Sequence, residues 1–144
     1  MTGIDFYFNA GDRLQVACRL AGKALTQGKR TLIYAPDAET VQRVDRLLWT
    51  WPATGFVPHC ALHDPLAART PVLIGDEPAA AAGCDVLLNL GAATPPAFER
   101  FERLLEVVAL DDEGRRAARE RYRFYRDRGY KIADHDLAGA GAGA

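Results

Sequence analysis

Serine is missing from all 144 residues, which removes every mechanism that runs through a serine nucleophile. Cysteine occurs three times, as Cys18, Cys60 and Cys84. The three are far apart and form no CxxC pair, so neither a zinc cluster nor a redox dithiol is encoded. Scattered thiols beside apolar neighbours read as buried free cysteines of a cytosolic chain. No apolar run approaches the ~20 residues that a membrane-spanning helix needs. The opening residues carry neither a basic leader nor a long apolar stretch, so no secretory signal is visible. The expected compartment is therefore the cytoplasm, with no membrane partner.

Glycine is present thirteen times, yet never as GxGxxG or GxxxxGK(S/T), the spacings that let backbone N–H groups close around a pyrophosphate. The first strand-to-helix turn, Phe8-Asn9-Ala10-Gly11-Asp12, holds a single glycine. Gly28-Lys29-Arg30 looks like the end of a phosphate loop but precedes a strand instead of following one. His59 and His63 have the four-residue spacing of a helical metal pair, but Pro58 and Pro65 flank them and no HExxH glutamate joins them. Cys60 beside His59 does not form a nucleophile–base pair, because neighbours in an extended segment point opposite ways. No cofactor, metal or catalytic residue is expected. A small nucleotide-binding α/β enzyme is the alternative that these absences weigh against.

What is there alternates. Residues 4–8 read as an aromatic-rich strand, and Asp12 as the N-cap of a helix with Leu14, Cys18, Leu20, Ala21 and Leu25 on one face. Gly28 stops that helix. Residues 31–34 form a buried strand, and Pro36-Asp37 open a second helix striped by Val41, Val44, Leu47 and Leu48, ending near Trp49. Strands follow at 71–75, 85–90 and 104–110, with a small-residue connector at 79–83, a turn at Pro95-Pro96 and a short helix at 98–103. Asp111, Asp112 and Glu113 suit the positive end of a long last helix that runs to 128. The alternation predicts one α/β domain over residues 1–137: a mostly parallel sheet with helices on both faces, Rossmann-like or P-loop-like in topology but without a nucleotide site. The Gly/Ala run at 138–144 reads as a disordered tail.

The formal net charge is only -1, but it is unevenly spread. Between Arg115 and Lys131 eight basic residues face two acidic ones, Glu120 and Asp127, so this segment carries +6 on an acidic body. Arg115, Arg119, Tyr122 and Arg126 are spaced 4, 3 and 4, which puts them on one helix face. That face is either a solvated charged surface or a recognition surface. Arginine forks can clamp a carboxylate and a tyrosine can flank an apolar side chain. A phosphate backbone would suit the same cations, so direct single-stranded nucleic-acid binding stays open as a second alternative, although no row of stacking aromatics accompanies them. The second unusual block is Trp49, Trp51 and Phe56 with Pro52, Val57 and Pro58. It is either a core cap or an exposed protein-binding hot spot.

These blocks also carry a family likeness. Asp5-Phe6-Tyr7-Phe8, Gly28-Lys29-Arg30 leading into Thr31-Leu32-Ile33-Tyr34, Asp45-Arg46-Leu47-Leu48-Trp49, Phe56-Val57-Pro58-His59, and Arg119-Glu120-Arg121-Tyr122 with Tyr125 stand in the order and spacing found in one family. From about residue 4 to residue 137 the chain resembles the chi subunit of bacterial DNA polymerase III. The resemblance implies a non-catalytic clamp-loader-associated subunit in DNA replication and repair. It implies binding of the C-terminal tail of single-stranded-DNA-binding protein at Arg115, Arg119, Tyr122 and Arg126, with Leu110 as the apolar floor. It further implies a surface for the psi subunit, or for a DNA-repair helicase, at Trp49, Trp51, Pro52, Phe56 and Val57. Contact with DNA would be indirect. Trp51 stands where a more polar residue is usual, and residues 109–113 are shorter than in familiar members.

Overall fold

The computed structural model describes residues 1–50 and 57–138. Along the chain run β1 (Gly3–Ala10), α1 (Arg13–Thr26), β2 (Thr31–Tyr34), α2 (Ala38–Thr50), β3 (His59–Ala61), β4 (Val72–Gly75), β5 (Val86–Asn89), β6 (Arg103–Ala109), α3 (Asp112–Asp127) and β7 (Ile132–Asp136). Short 3-10 turns sit at Ala67–Arg69, Pro78–Ala80 and Phe98–Arg100. The seven strands make one sheet in the order β3-β4-β2-β5-β6-β1-β7, and every pairing is parallel.

Parallel strands must be covered on both sides, and the two faces separate by side-chain parity. Ile33, Val72, Ile74, Leu88, Leu105 and Val107 pack with α1 and α2 through Leu14, Ala17, Cys18, Ala21, Val44 and Leu48. Ile4, Phe6, Leu32, Leu73, Leu87, Leu104 and Val108 pack on the opposite face with Ala118 and Tyr125 of α3 and with Phe98 and Phe101. The caps are local. Asp12 accepts from the N–H groups of Leu14 and Gln15, and Asp111 from that of Gly114. Gly28 (φ 74°) and Gly129 (φ 83°) provide the left-handed turns that follow α1 and α3.

Three local features differ from the sequence expectations. β3 and β7 are the sheet's two edges; β3 has only three residues, and β7 reads Ile-Ala-Asp-His-Asp, too polar to signal a strand. The helix expected at 98–103 is a single 3-10 turn. Phe98 and Phe101, three apart, are both buried, which the tighter winding allows, and Arg103 already pairs in β6. The mostly parallel sheet that the sequence predicts is found, wholly parallel among the described residues.

One position on the α3-facing side of β6 is not apolar. Glu106, 0% exposed, lies between Leu104 and Val108. Its carboxylate accepts from Arg121 Nε (3.0 Å), Tyr125 Oη (2.6 Å) and Asn89 Nδ2 (2.9 Å). Arg121 also donates Nη1 to the Ala92 carbonyl at 2.7 Å. Burial pushes the Glu106 carboxyl up, and Arg121, Tyr125 and Asn89 pull it back. Burial and the adjoining carboxylate push the Tyr125 phenol up, so it serves as a proton donor. Removing one member of such a pair leaves the other charge buried and uncompensated. Glu106→Gln is therefore expected to cost about 3–5 kcal/mol, measured as a lower urea midpoint at unchanged slope.

Candidate functional site

α3 leaves the C-terminal end of β6, crosses above β1 and delivers the chain to β7 at the sheet edge. Ala118, Arg121 and Tyr125 point down into the core. The next helix face, which carries Arg115, Arg119, Tyr122 and Arg126, overhangs β1 and β7. With no strand beyond β7 among the described residues, a groove remains between helix and sheet rim.

Two adjoining hollows make up this groove. The first, about 300 Å³, is lined by Phe8, Asn9, Val108, Arg115, Ala118, Arg119 and Asp136. The second, about 330 Å³, is lined by Phe8, Arg119, Tyr122, Arg123, Arg126 and Asp134. Phe8 and Arg119 belong to both. The aromatic floor is fixed from below: Phe6 stacks on Phe8 with ring centroids 5.7 Å apart, and Tyr122 lies 5.0 Å from Phe6 and 6.4 Å from Phe8. Tyr122 Oη donates to Asp134 Oδ2 at 3.3 Å. Burial, then the Asp134 charge, push its phenol up, so the hydroxyl stays protonated.

The arginines are not spent on internal pairing. The Arg119 side chain is exposed and, among the described residues, forms no hydrogen bond or ion pair. Arg126 lies 3.6 Å from Asp127 with both side chains more than 60% exposed, a contact worth little in water. Arg115 Nη2 donates to the neutral Asn9 Oδ1 at 3.1 Å. The arrangement can take an anionic group between guanidinium forks and an apolar group against Phe8, Val108 and Ala118. Asp134 and Asp136, on the β7 wall, oppose negative charge there and so orient any anion toward α3.

The structure brings Arg115, Arg119, Tyr122 and Arg126 together as the sequence predicts. Leu110 does not join them: it is 50% exposed, beyond the end of β6, and lines neither hollow. Val108, still within the strand, supplies the floor. Sequence reasoning missed Phe8, Asn9, Val108, Arg123, Asp134 and Asp136. Only Arg123 carried a signal, as part of the basic run. The acids were invisible because β7 was.

The second predicted surface is divided. Trp51, Pro52 and Phe56 lie outside the described residues. Trp49, in the last turn of α2, is 61% exposed and meets the His59 ring edge-on at 4.9 Å. Val57 is 4% exposed and packs in the core with α1 and α2, so its side chain is no part of a surface. His59, whose side chain is fully buried, bonds the Val57 carbonyl through Nδ1 at 2.8 Å, and its Nε2 lies 3.2 Å from Asp45. His63 pairs instead with Glu77 at 3.3 Å. No metal-ligating group of three or more side chains forms among the described residues.

Nucleotides in open parallel sheets sit beyond the carboxyl ends of the strands. The hollow there, about 260 Å³, is lined in part by Arg13, Leu90, Gly91, Asp111, Glu113 and Arg121. Arg13 Nη1 is held by the Leu90 carbonyl at 2.7 Å, Arg121 by Glu106, and two carboxylates guard the start of α3. With Arg121 spent on Glu106 and Arg13 faced by Asp111 and Glu113, the lining offers no net positive charge to a phosphate.

Cys18 and Cys84 are buried, and burial pushes the Cys18 thiol up to about 12 and raises Cys84 as well. Cys60 is half-buried on the edge strand β3. A thiol reagent at pH 8 is expected to label Cys60 in the native protein, and Cys18 and Cys84 only on unfolding. Mass mapping of the labelled peptides checks this.

Comparison with known proteins gives a consistent result. Residues 1–133 match the family described as DNA polymerase III chi subunit, HolC. The DNA polymerase III subunit chi of Pseudomonas aeruginosa is 36% identical over 141 residues, covering 95% of this chain and 98% of that protein. The Escherichia coli subunit chi is 30% identical over 119 residues, covering 82% and 81%. Among solved structures, the C-terminal domain of S. cerevisiae Dbp5, bound to Gle1 and IP6, superposes with a TM-score of 0.66 at 11% identity over 94% of this chain and 90% of that one. At that identity the likeness is one of fold alone. No helix among the described residues is long and apolar enough to cross a membrane.

Proposed function

The chain belongs to the DNA polymerase III chi subunit family, and from that premise we propose that it is a non-catalytic accessory subunit of that polymerase which captures the C-terminal tail of single-stranded-DNA-binding protein in the groove between α3 and β7. The observation that carries this reading is Arg119, exposed and without an ion pair among the described residues, shared by two hollows with an aromatic floor. An acidic peptide ending in an aromatic residue offers matching groups. Its ring fills the hollow over Phe8, Val108 and Ala118, its terminal carboxylate meets the guanidinium forks, and its upstream acids follow the arginines of α3. The tail thereby holds the polymerase assembly near coated template, and contact with DNA is indirect. Trp49 anchors the surface for a tethering partner, either the psi subunit or a DNA-repair helicase, to which the resemblance also assigns Trp51, Pro52 and Phe56, outside the described residues. Such an exposed indole at a helix end is the type of residue that anchors interfaces.

Titration of a labelled acidic peptide ending in Phe tests the reading. Arg119→Glu is expected to weaken binding by about tenfold or more, equivalent to about 1.4 kcal/mol. Wild-type affinity should fall as salt rises, because much of the attraction is between exposed charges. Equal affinity of the variant and wild type removes the tail-binding role. Tighter binding to a bare oligonucleotide than to the peptide would reassign the groove to nucleic acid.

A further inference from the structure

We infer that Asn9 is the residue that keeps the groove cationic, by standing as a neutral spacer between Arg115 and Asp136. The inference rests on the tail-binding reading above but concerns a residue to which that reading gives no part.

Three observations converge on Asn9. First, its backbone is left-handed (φ 62°), a region that asparagine tolerates better than other side-chain-bearing residues. It falls where β1 and β6 lose register, between the pairs Tyr7–Val107 and Ala10–Ala109, so the strand holds one extra residue there. The bulge turns the Asn9 side chain into the first hollow, which it lines. Second, both ends of its amide are engaged. Oδ1 accepts from Arg115 Nη2 at 3.1 Å, and Nδ2 donates to Asp136 Oδ1 at 2.8 Å. A cation on one side and a carboxylate on the other allow only one orientation of the amide. Third, Arg115 makes no ion pair among the described residues, although Asp136 lines the same hollow.

The physical consequence concerns where charge is spent. A guanidinium that forks onto a carboxylate is largely neutralised toward a third, anionic group. A guanidinium held by an amide oxygen keeps its full charge and surplus donors. Asn9 meanwhile donates to Asp136 Oδ1 beside the Ala138 backbone N–H, so neutral donors hold the acid of the β7 wall without drawing Arg115 to it. The amide thus fixes the arginine and leaves it available, which neither a carboxylate nor an apolar side chain at this position can do. Asn9 is a positioning residue: it acts on the ligand through Arg115.

Binding of an acidic peptide ending in Phe, followed with wild type, Asn9→Gly, Asp136→Asn and the double variant Asn9→Gly/Asp136→Asn, tests the inference. Glycine keeps the left-handed backbone while removing the amide, and thermal melting verifies that each variant is folded. Asn9→Gly is expected to weaken binding roughly three- to five-fold, the worth of one partly exposed charge pair. Adding Asp136→Asn is expected to restore the wild-type affinity, because the competing carboxylate is gone. Asp136→Asn also removes a charge that repels the peptide in any background. A merely structural role for Asn9 therefore predicts the same gain in wild type and in Asn9→Gly, whereas the inference requires a larger gain in Asn9→Gly and is overturned by equal ones. Wild-type affinity in Asn9→Gly, or a double variant as weak as Asn9→Gly, overturns the inference. If wild type itself fails to bind the peptide, the tail-binding reading fails first, and that outcome is distinct from either of these.

Discussion

The fold and its groove both depend on a carboxylate where a parallel sheet ordinarily carries an aliphatic side chain. Glu106 ties α3 to the sheet through Arg121 and Tyr125, and ties β5 in through Asn89. Packing by Ala118 and Tyr125 alone would leave a helix this polar free to rotate or slide over the strands. A buried, directional network admits one helix rotation. That rotation sets which arginines look down and which look across at β7. Arg121 sits in the midst of the basic run and is consumed by the core; Arg119, two residues earlier, is turned out to the groove. The same residue type thus serves the core or the ligand according to helical phase.

The alternation of strands and helices was legible in the sequence because it is written in apolar periodicity and in local signals, the start at Asp12 and the stop at Gly28 among them. Edge strands were not. β7 is held by backbone pairing with β1 and by the shelter of α3, and its Asp134-His135-Asp136 run shows no hydrophobic alternation. Missing β7 meant missing the far wall of the groove, and with it both acids. The basic face of α3 could be read from the 4-3-4 spacing alone. Its floor could not: Val108 and Leu110 have equal parity and similar chemistry, and only the point where β6 ends puts one beneath the helix and the other in solvent.

The groove has two walls of opposite sign, and this asymmetry matters more than the net cationic charge. Asp134 engages the Tyr122 hydroxyl and Asp136 engages Asn9. Each acid therefore also organises the floor or the rim. An anion entering between the walls is repelled on one side and attracted on the other, so it is given an orientation as well as an affinity. The sheet's other rim is built differently. There β3 is short, and the exposed feature is the Trp49 indole against a buried histidine.

The connectivity has a consequence for when the molecule can first recognise anything. β1 carries Phe8 and Asn9, yet its described neighbours are β6 and β7, with Gly3 opposite Arg103 and Ile4 opposite Ile132. A segment synthesised early must wait for strands emerging from the ribosome long afterwards before it can be seated. Pairings this distant in sequence are slow to form. Competence to dock thus arrives only with completion of the sheet, and a half-made chain carries Phe8 and Asn9 with no α3 arginines opposite them.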